Sequence, residues 1–198
     1  MFEGFVQKIV DNQIEKGTLD REDRNIYLYG YQMLIEFCIN IFTSIVIAFV
    51  FEAAEIVVVF TIAYLLLRGY VGGYHAKTSL GCFCCSAMML ISAVVLVKLV
   101  ADMEIGRYFF WSEIIIVPSV FTETPMPDVH KPITKNESNY FNKKVKQIYL
   151  IQLIIELFFL YMDVKEYALS IWSVHVVLFG MVLLEVIRKK WSHYHKPT

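Results

Sequence analysis

Two residues of the chain, His75 and Cys82, have side chains that together can carry out nucleophilic catalysis. A cysteine attacks carbonyl carbons as its thiolate, and a nearby imidazole can take the thiol proton and later donate it to a departing amine. Both residues lie in one short segment, which runs from Arg68 to Cys82 and reads RGYVGGYHAKTSLGC. The sequence therefore contains the two side chains of a thiol protease within a single stretch.

The spacing of His75 and Cys82 predicts a bend between them. On an unbroken α-helix the two residues would lie about 10.5 Å apart along the axis, which is too far for a direct hydrogen bond. Thr78 or Ser79 is a suitable N-cap for the helix that follows, and Cys82 would then lie in the first turn, where the macrodipole favours a thiolate. Three glycines permit the bend, and they are Gly72, Gly73 and Gly81.

These residues also allow other interpretations. Cysteine is a common small hydrophobic residue in membrane helices, and a single histidine at a membrane edge is usually an interfacial residue. A metal site of His75 with three cysteines is disfavoured, because the adjacent Cys84 and Cys85 would diverge by about 100° on a helix and would not easily complete a tetrahedron. We therefore expect no metal and no cofactor, and we expect the four cysteines to be free thiols.

The composition predicts that these residues belong to an all-α integral membrane protein. Hydrophobic residues make up 57% of the 198 positions and charged residues only 19%. A soluble domain of this composition would have more apolar side chains than its interior could bury. The apolar residues also form long blocks, as membrane-spanning helices require. Six blocks are predicted to be transmembrane helices, namely residues 31–50, 53–70, 82–101, 108–121, 148–162 and 167–187.

The distribution of basic residues predicts the orientation of these helices. With a cytoplasmic N-terminus, fifteen of the 18 Lys and Arg residues fall in cytoplasmic segments and only Arg107 and Lys165 in outside loops, in agreement with the positive-inside rule. Both termini are then cytoplasmic. The fourth block contains Glu113, and the fifth contains Gln152 and Glu156, so the alternative is a bundle of four spans in which these two are surface or re-entrant segments.

The N-terminal residues 1–24 are predicted to form an amphipathic helix and a charged linker. Apolar residues such as Phe5, Val6 and Ile9 recur at helical spacing, with charged and amide side chains between them, which is typical of a helix lying on a membrane surface. The alternative is a packing helix of a small soluble cap.

Several polar residues lie inside the apolar blocks and would be costly if they faced lipid. Each is a functional candidate, and the alternative for each is a buried interhelical hydrogen bond. These residues are Glu36, Asn40, Glu113, Gln152, Glu156, His175 and Glu185.

Two motifs of the chain resemble those of a known family. The run Arg-x3-Gly-Gly-x-His-Ala-x5-Cys ends at Cys82, and a later segment, residues 125–133, reads PMPDVHKPI. Together with the order of the apolar blocks, they are similar to the accessory gene regulator B proteins of Gram-positive bacteria, which are membrane cysteine endopeptidases of quorum sensing. The resemblance covers nearly the whole chain.

The resemblance implies roles for particular residues. Cys82 would be the nucleophile and His75 its general base, in a catalytic loop of residues 68–81. Supporting positions in and beside this loop would be Arg68, Gly72, Gly73 and Ser79. The basic cytoplasmic loop of residues 122–147 would contact the substrate, through Lys131, Lys135, Lys143 and Lys144. The alternative for this loop is that its basic residues serve only to orient the chain in the membrane.

The resemblance also implies the partners. The substrate would be a pro-peptide of the accessory gene regulator D type, with an amphipathic helix, a signal sequence and an acidic tail, and the protein would be a homodimer in the bacterial cell membrane. We expect no nucleic-acid partner, because the basic residues form short clusters beside the membrane without a binding motif. Two further interpretations remain open, a small transporter and a non-catalytic membrane adaptor.

Overall fold

The regular structure of the chain is helical. A computed structural model describes residues 3–71, 79–101, 103–125 and 134–194, and within these ranges there is no strand. Seven α-helices and one 3₁₀ helix follow one another in this order: α1 Glu3–Glu15, α2 Arg24–Val50, α3 Ala54–Val71, α4 Ser79–Ala101, the 3₁₀ helix Glu104–Ser112, α5 Glu113–Glu123, α6 Lys135–Tyr161 and α7 Lys165–Tyr194.

Among the described residues, four helices are long and apolar enough to cross a membrane. They comprise Arg24–Val50, Ala54–Val71, Leu80–Ala101 and Lys165–Arg188, and a shorter apolar helical stretch covers Tyr108–Thr122. The prediction of an all-helical membrane protein is therefore confirmed. The count of six spans stays a prediction, because the predicted fourth span (residues 108–121) and fifth span (residues 148–162) are not among these four helices.

In the regions of the predicted fourth and fifth spans, the helices begin and end at other residues than hydropathy predicted. The fourth block is divided between the 3₁₀ helix and α5, and α6 begins at Lys135, well before the apolar block at residue 148. This early start has a local cause, because Thr134 and Glu137 form a capping box in which each side chain accepts a hydrogen bond from the other residue's backbone amide. Much of the segment 122–147 that was predicted as a basic loop is thus helical.

The first compact unit comprises residues 1–46 and 76–88. Helix α1 ends in a Schellman motif, in which Gly17 has a φ of 69° and the Thr18 amide donates to the Gln13 carbonyl at 2.9 Å. The guanidinium of Arg24, at the start of α2, donates to both carboxylate oxygens of Asp11, at 2.8 and 3.1 Å. These contacts fix the turn between α1 and α2, whereas the location of α1 on a membrane surface stays a prediction.

The second compact unit comprises residues 47–75 and 89–198. Helices α3, α6 and α7 pack against one another, and α5 packs on α7. Leu67, Tyr149 and Leu178 are among the fully buried side chains of its core.

Helix α6 has an unusual distribution of polar side chains. Its buried face carries Val145, Tyr149, Gln152 and Glu156, so three of the four buried residues have polar groups. From Leu150 onward its exposed face is apolar and includes Leu150, Ile151, Ile154, Leu157 and Phe158. A helix in water would show the reverse arrangement, so the exposed face of α6 is suited to contact with lipid.

Candidate active site

Cys82 lies on the first described part of α4. The helix is described from Ser79, so Cys82 is the fourth described residue of the helix. Its side chain is half-buried, like that of Cys85, whereas Cys84 is exposed. Because each residue of an α-helix turns by about 100°, Cys84 points about 160° away from Cys82, while Cys85 lies within about 60° of it.

All four cysteines lie within the described ranges, and none of them forms a disulfide. The reduced state of these thiols stays a prediction. Cys84 and Cys85 are near neighbours of Cys82, but the face on which Cys84 lies differs from that of the predicted nucleophile. The three thiols can therefore be distinguished by single substitutions.

The remaining residues of the predicted catalytic loop are described only in part. Arg68 lies in the last turn of α3 and is half-buried. The backbone of Ser79 belongs to α4. The predicted base His75 lies outside the described residues, as do Gly72 and Gly73.

The predicted substrate-binding lysines lie on helix α6, except for Lys131, which falls outside the described ranges. Lys135 is exposed in the first turn, and Lys143 is exposed two turns later. Lys143 and Lys146 line an open groove of about 430 Å³. Lys144 instead lies over the ring of Tyr140, with 5.7 Å between Nζ and the ring centroid.

A buried polar cluster joins α5, α6 and α7 in the second unit. Its centre is His175, which is fully buried. The Nδ1 atom of His175 lies 2.9 Å from Oε1 of Glu113 and 3.5 Å from Oε2 of Glu156. The hydroxyl of Tyr149 donates to the other oxygen of Glu113, Oε2, at 2.6 Å.

Gln152 fixes the other nitrogen of His175. Its side-chain amide donates to the carbonyl of Ala63 on α3 at 2.9 Å, so its Oε1 faces Nε2 of His175 at 3.0 Å. Because a carbonyl oxygen can only accept, Nε2 carries a proton. The ring of Tyr149 stacks on the imidazole, with centroids 4.0 Å apart. The orientation of the imidazole is thus set by side chains of α5 and α6, and through Gln152 by the backbone of α3.

Four of the seven polar residues singled out in the sequence therefore meet in one place. Glu113, Gln152 and His175 make interhelical hydrogen bonds, as the alternative interpretation predicted. Glu156 approaches His175 at 3.5 Å. Glu185 is also buried, but it binds Arg188 one turn later on α7 at 2.8 Å. In the first unit, Asn40 donates to the carbonyl of Glu36 at 2.9 Å, a bond within α2.

Two further members of this polar interior were not predicted from the sequence. Tyr149 precedes Gln152 and Glu156 at helical spacing, and this spacing was the available signal. The other is Trp172, whose Nε1 donates to Oγ of Ser112 at 2.9 Å. No sequence signal links Trp172 to Ser112, since 60 positions separate them.

The long apolar helices and the interior of hydrogen-bonded polar side chains define a polytopic helical membrane protein. The chain belongs to the accessory gene regulator B family, whose model matches residues 3–187. It is 28% identical over 178 residues to "Putative AgrB-like protein 2" of Clostridium perfringens (strain 13 / Type A), covering 87% of this chain and 82% of that relative.

A second relative, "Putative AgrB-like protein" of Clostridium perfringens (strain SM101 / Type A), is 28% identical over 163 residues, covering 79% of this chain and 76% of the relative. No solved structure matches the chain. Membership of the family implies a role in processing the peptides of accessory gene regulator quorum sensing, and it favours this role over the transporter and the adaptor.

Proposed function

We propose that the chain is a cysteine endopeptidase of the membrane, which removes the C-terminal tail of a quorum-sensing pro-peptide and promotes cyclisation of the signal peptide. The single observation that carries the proposal is the position of Cys82. A half-buried thiol in the first described turn of α4, in a chain of this family, has both the sequence context and the local electrostatics of a nucleophile.

The position of Cys82 favours the reactive form of its side chain. With the N-cap at Thr78 or Ser79 that the sequence predicts, Cys82 lies in the first turn of α4, where the helix macrodipole stabilises nearby negative charge. A thiol in this environment loses its proton more readily than a thiol in an apolar helix interior. The backbone amides of this turn are the natural donors to an oxyanion that forms beside Cys82.

In the proposed first step, the Cys82 thiolate attacks the peptide carbonyl at the junction between signal and tail. A carbon–sulfur bond forms, the carbon–nitrogen bond breaks, and His75 donates to the departing amine the proton that it took from the thiol. The product is a thioester between Cys82 and the signal peptide, with the tail released. Arg68, Gly72, Gly73 and Ser79 are the proposed supporting residues.

In the second step, an internal cysteine or serine of the bound peptide attacks the thioester carbonyl. A thiolactone or lactone ring closes, the bond to Cys82 breaks, and the proton from the attacking group returns to the Cys82 thiolate by way of His75. Exchange of one thioester for another costs little free energy, so this step depends mainly on holding the nucleophile close and excluding water.

Basic residues at the start of α6 are proposed to bind the acidic tail of the pro-peptide. Lys135 and Lys143 are exposed, and Lys143 contributes to an open groove that also includes Lys146. Exposed ammonium groups attract an acidic peptide over several ångströms and raise its local concentration. Lys131 and Lys144 complete the proposed set.

The proposed topology has six spans with both termini in the cytoplasm. The apolar outer face of α6, which includes Leu150, Ile154 and Leu157, supports a crossing by this helix. The chain is further proposed to act as a homodimer. In this arrangement Cys82, His75 and the basic start of α6 all lie on the cytoplasmic side, where a newly synthesised peptide arrives.

The proposal is tested by co-expression with the pro-peptide in a host that lacks both proteins. Cys82→Ala should lower tail cleavage, measured by mass spectrometry, by on the order of 10³-fold or more. Cys84→Ala is the matched control, since it removes a thiol two residues away on the opposite face of α4, and it should retain activity. Cleavage by the Cys82→Ala protein at the wild-type rate would rule out the mechanism.

A second experiment tests the acyl-enzyme. A pro-peptide whose internal nucleophile is replaced by alanine cannot cyclise, so the thioester should accumulate on the protein. We expect an added mass equal to that of the pro-peptide without its tail, less one water, and neutral hydroxylamine should remove it because thioesters are sensitive to this reagent. The adduct should be absent from the Cys82→Ala protein and present in the Cys85→Ala protein.

A further inference from the structure

The buried cluster of Glu113, Glu156 and His175 plays no part in the proposed peptide chemistry, and its arrangement is that of a ligand set. One carboxylate or imidazole atom from each residue lies within 4.8 Å of the corresponding atoms of the other two. The three residues come from α5, α6 and α7. All three are less than a tenth exposed.

One oxygen of this cluster has no hydrogen-bond partner. Oε2 of Glu156 is buried and unsatisfied, although it lies on the side of Nδ1 of His175. A buried carboxylate oxygen without a partner is costly. This oxygen points toward His175, and its lack of a hydrogen bond indicates a ligand between the two side chains.

The distances within the cluster suit a metal ion. Nδ1 of His175 lies 2.9 Å from an oxygen of Glu113 and 3.5 Å from an oxygen of Glu156. Two ligand atoms at the usual Zn²⁺ distance of about 2.0–2.1 Å are separated by about 3.3 Å in a tetrahedral site. The two distances to Nδ1 of His175 differ from this value by only a few tenths of an ångström, and the two carboxylate oxygens lie within 4.8 Å of each other.

The outer contacts of the cluster resemble those of a metal-bound histidine. Such a histidine donates its second ring N–H to a fixed acceptor, and a ligating carboxylate accepts a further hydrogen bond. Here Nε2 of His175 donates to Gln152, which is itself held by the Ala63 carbonyl. The hydroxyl of Tyr149 donates to the second oxygen of Glu113.

The charge of the cluster points to the same kind of ligand. Two ionised carboxylates beside a neutral imidazole would carry two negative charges, which a buried site does not tolerate without compensation. A divalent cation neutralises them, and a mixture of nitrogen and oxygen donors suits Zn²⁺, Mn²⁺ or Fe²⁺ better than Mg²⁺ or Ca²⁺. We propose that Glu113, Glu156 and His175 bind one divalent transition-metal ion, which links α5, α6 and α7.

The test measures metal rather than peptide cleavage, so that its failure leaves the proposed peptidase untouched. The full-length protein is purified in detergent with an affinity tag that contains no histidine, and it is dialysed against Zn²⁺, Mn²⁺ or Fe²⁺ and then against buffer. Elemental analysis should find roughly one ion per chain for at least one metal. Less than about a tenth of an ion per chain for all three metals would overturn the proposal.

Two sets of variants assign the bound metal to this cluster. Glu156→Gln keeps the side-chain volume but removes a charged ligand, and it should lose most of the metal. Glu185→Gln is the matched control, since it changes another buried carboxylate that binds Arg188, and it should keep the metal. Replacing Cys82, Cys84 and Cys85 together by serine should also leave the metal in place. Retention by Glu156→Gln, or loss from the serine variant, would contradict the assignment.

A spectroscopic measurement on the wild type avoids dependence on whether Glu156→Gln folds. X-ray absorption at the metal edge should show nitrogen and oxygen neighbours at about 2.0–2.2 Å and no sulfur neighbour at about 2.3 Å. Removal of the metal should lower the apparent unfolding temperature, and its return should restore it. A sulfur shell would assign the ion to the cysteines and overturn the proposal.

Discussion

Nδ1 of His175 lies 2.9 Å from Oε1 of Glu113, although 62 residues separate the two along the chain. Glu113 is the first residue of α5, and His175 lies near the middle of the long apolar helix Lys165–Arg188. In an apolar surrounding such a contact is one of the few directional interactions available between helices. It therefore helps to determine how α5 packs on α7.

The hydroxyl of Tyr149 should contribute to this packing. Tyr149→Phe removes its hydrogen bond to Glu113 while keeping the ring that stacks on His175. We expect a loss of about 1 kcal/mol of stability, read as a fall in the apparent unfolding temperature in detergent. Tyr161→Phe, at the exposed end of the same helix, should have no measurable effect. Equal unfolding temperatures for Tyr149→Phe and the wild type would show that the bond contributes nothing.

The indole of Trp172 provides a second, independent test of the polar interior. Trp172→Phe removes the hydrogen bond from Nε1 to Ser112 and part of the packing against Phe109. The hydroxyl of Ser112 keeps the Phe109 carbonyl as its acceptor, so the expected loss comes from one bond and a smaller ring, about 1–2 kcal/mol. Trp111→Phe, at an exposed position next to the same serine, is the control and should unfold at the wild-type temperature.

Gly17, in the turn between α1 and α2, should be more sensitive to substitution than Gly30 inside α2. Its φ of 69° is accessible to glycine but strained for other residues, so Gly17→Ala should destabilise this turn by about 1 kcal/mol. Gly30→Ala adds a methyl group inside α2 where no atom lies within 4 Å, and it should be neutral or slightly stabilising. Hydrogen exchange of the α1 amides measures both, and faster exchange in Gly30→Ala than in Gly17→Ala would contradict the assignment.

The ion pair between Asp11 and Arg24 predicts a pH dependence of the same region. The hydrogen bond from the Arg24 guanidinium lowers the pKa of Asp11 below its ordinary value of 3.8. A lowered folded pKa means that the stabilisation is complete above the ordinary value and is lost as the pH falls through the folded value. Both groups are exposed to solvent, so the effect is confined to the α1–α2 turn.

Hydrogen exchange at several pH values tests this pair. Relative to the wild type at each pH, Asp11→Asn should increase exchange of the α1 amides above pH 3.8, and the difference should disappear in more acidic buffer. Asp20→Asn, an exposed position in the linker, serves as the control. A difference that persists unchanged into strongly acidic buffer would assign the effect to something other than ionisation of Asp11.

The two topologies differ in the placement of the ends of α6. With six spans the ends lie on opposite sides of the membrane, whereas a surface segment keeps both on one side. We expect Tyr161→Cys to react with a membrane-impermeant maleimide in intact cells and Ser138→Cys to react only after the cells are opened. The background protein has its four cysteines replaced by serine. Labelling of both positions in intact cells would favour four spans.

Hydropathy and spacing predicted much of this architecture and little of its interior. The long apolar helices were accessible because twenty apolar residues in succession have few other uses. The start of α6 at Lys135 was not, because it depends on a local capping box between Thr134 and Glu137 and not on hydropathy. Both residues are polar, and they lie outside the apolar block.

The polar interior shows a similar limit. The sequence identified Glu113, Gln152, Glu156 and His175 as costly in lipid, and this physical argument holds for each residue separately. It could not pair them, because the pairing depends on how α5, α6 and α7 cross. The buried oxygen of Glu156 that lacks a hydrogen bond is visible only once that packing is known. No metal was expected at this cluster, because a metal site was considered only at His75 with Cys82, Cys84 and Cys85.

The shared interior of α5, α6 and α7 also determines the order in which the chain can be completed during synthesis. Glu113 and Glu156 emerge from the ribosome before His175. The carboxyl groups of α5 and α6 therefore remain exposed until α7 enters the membrane. A nascent chain that stops before His175 retains two side chains that lipid cannot accommodate. Such truncated chains should be recognised and degraded by membrane proteases, whereas chains that extend beyond the last apolar residues of α7 should persist.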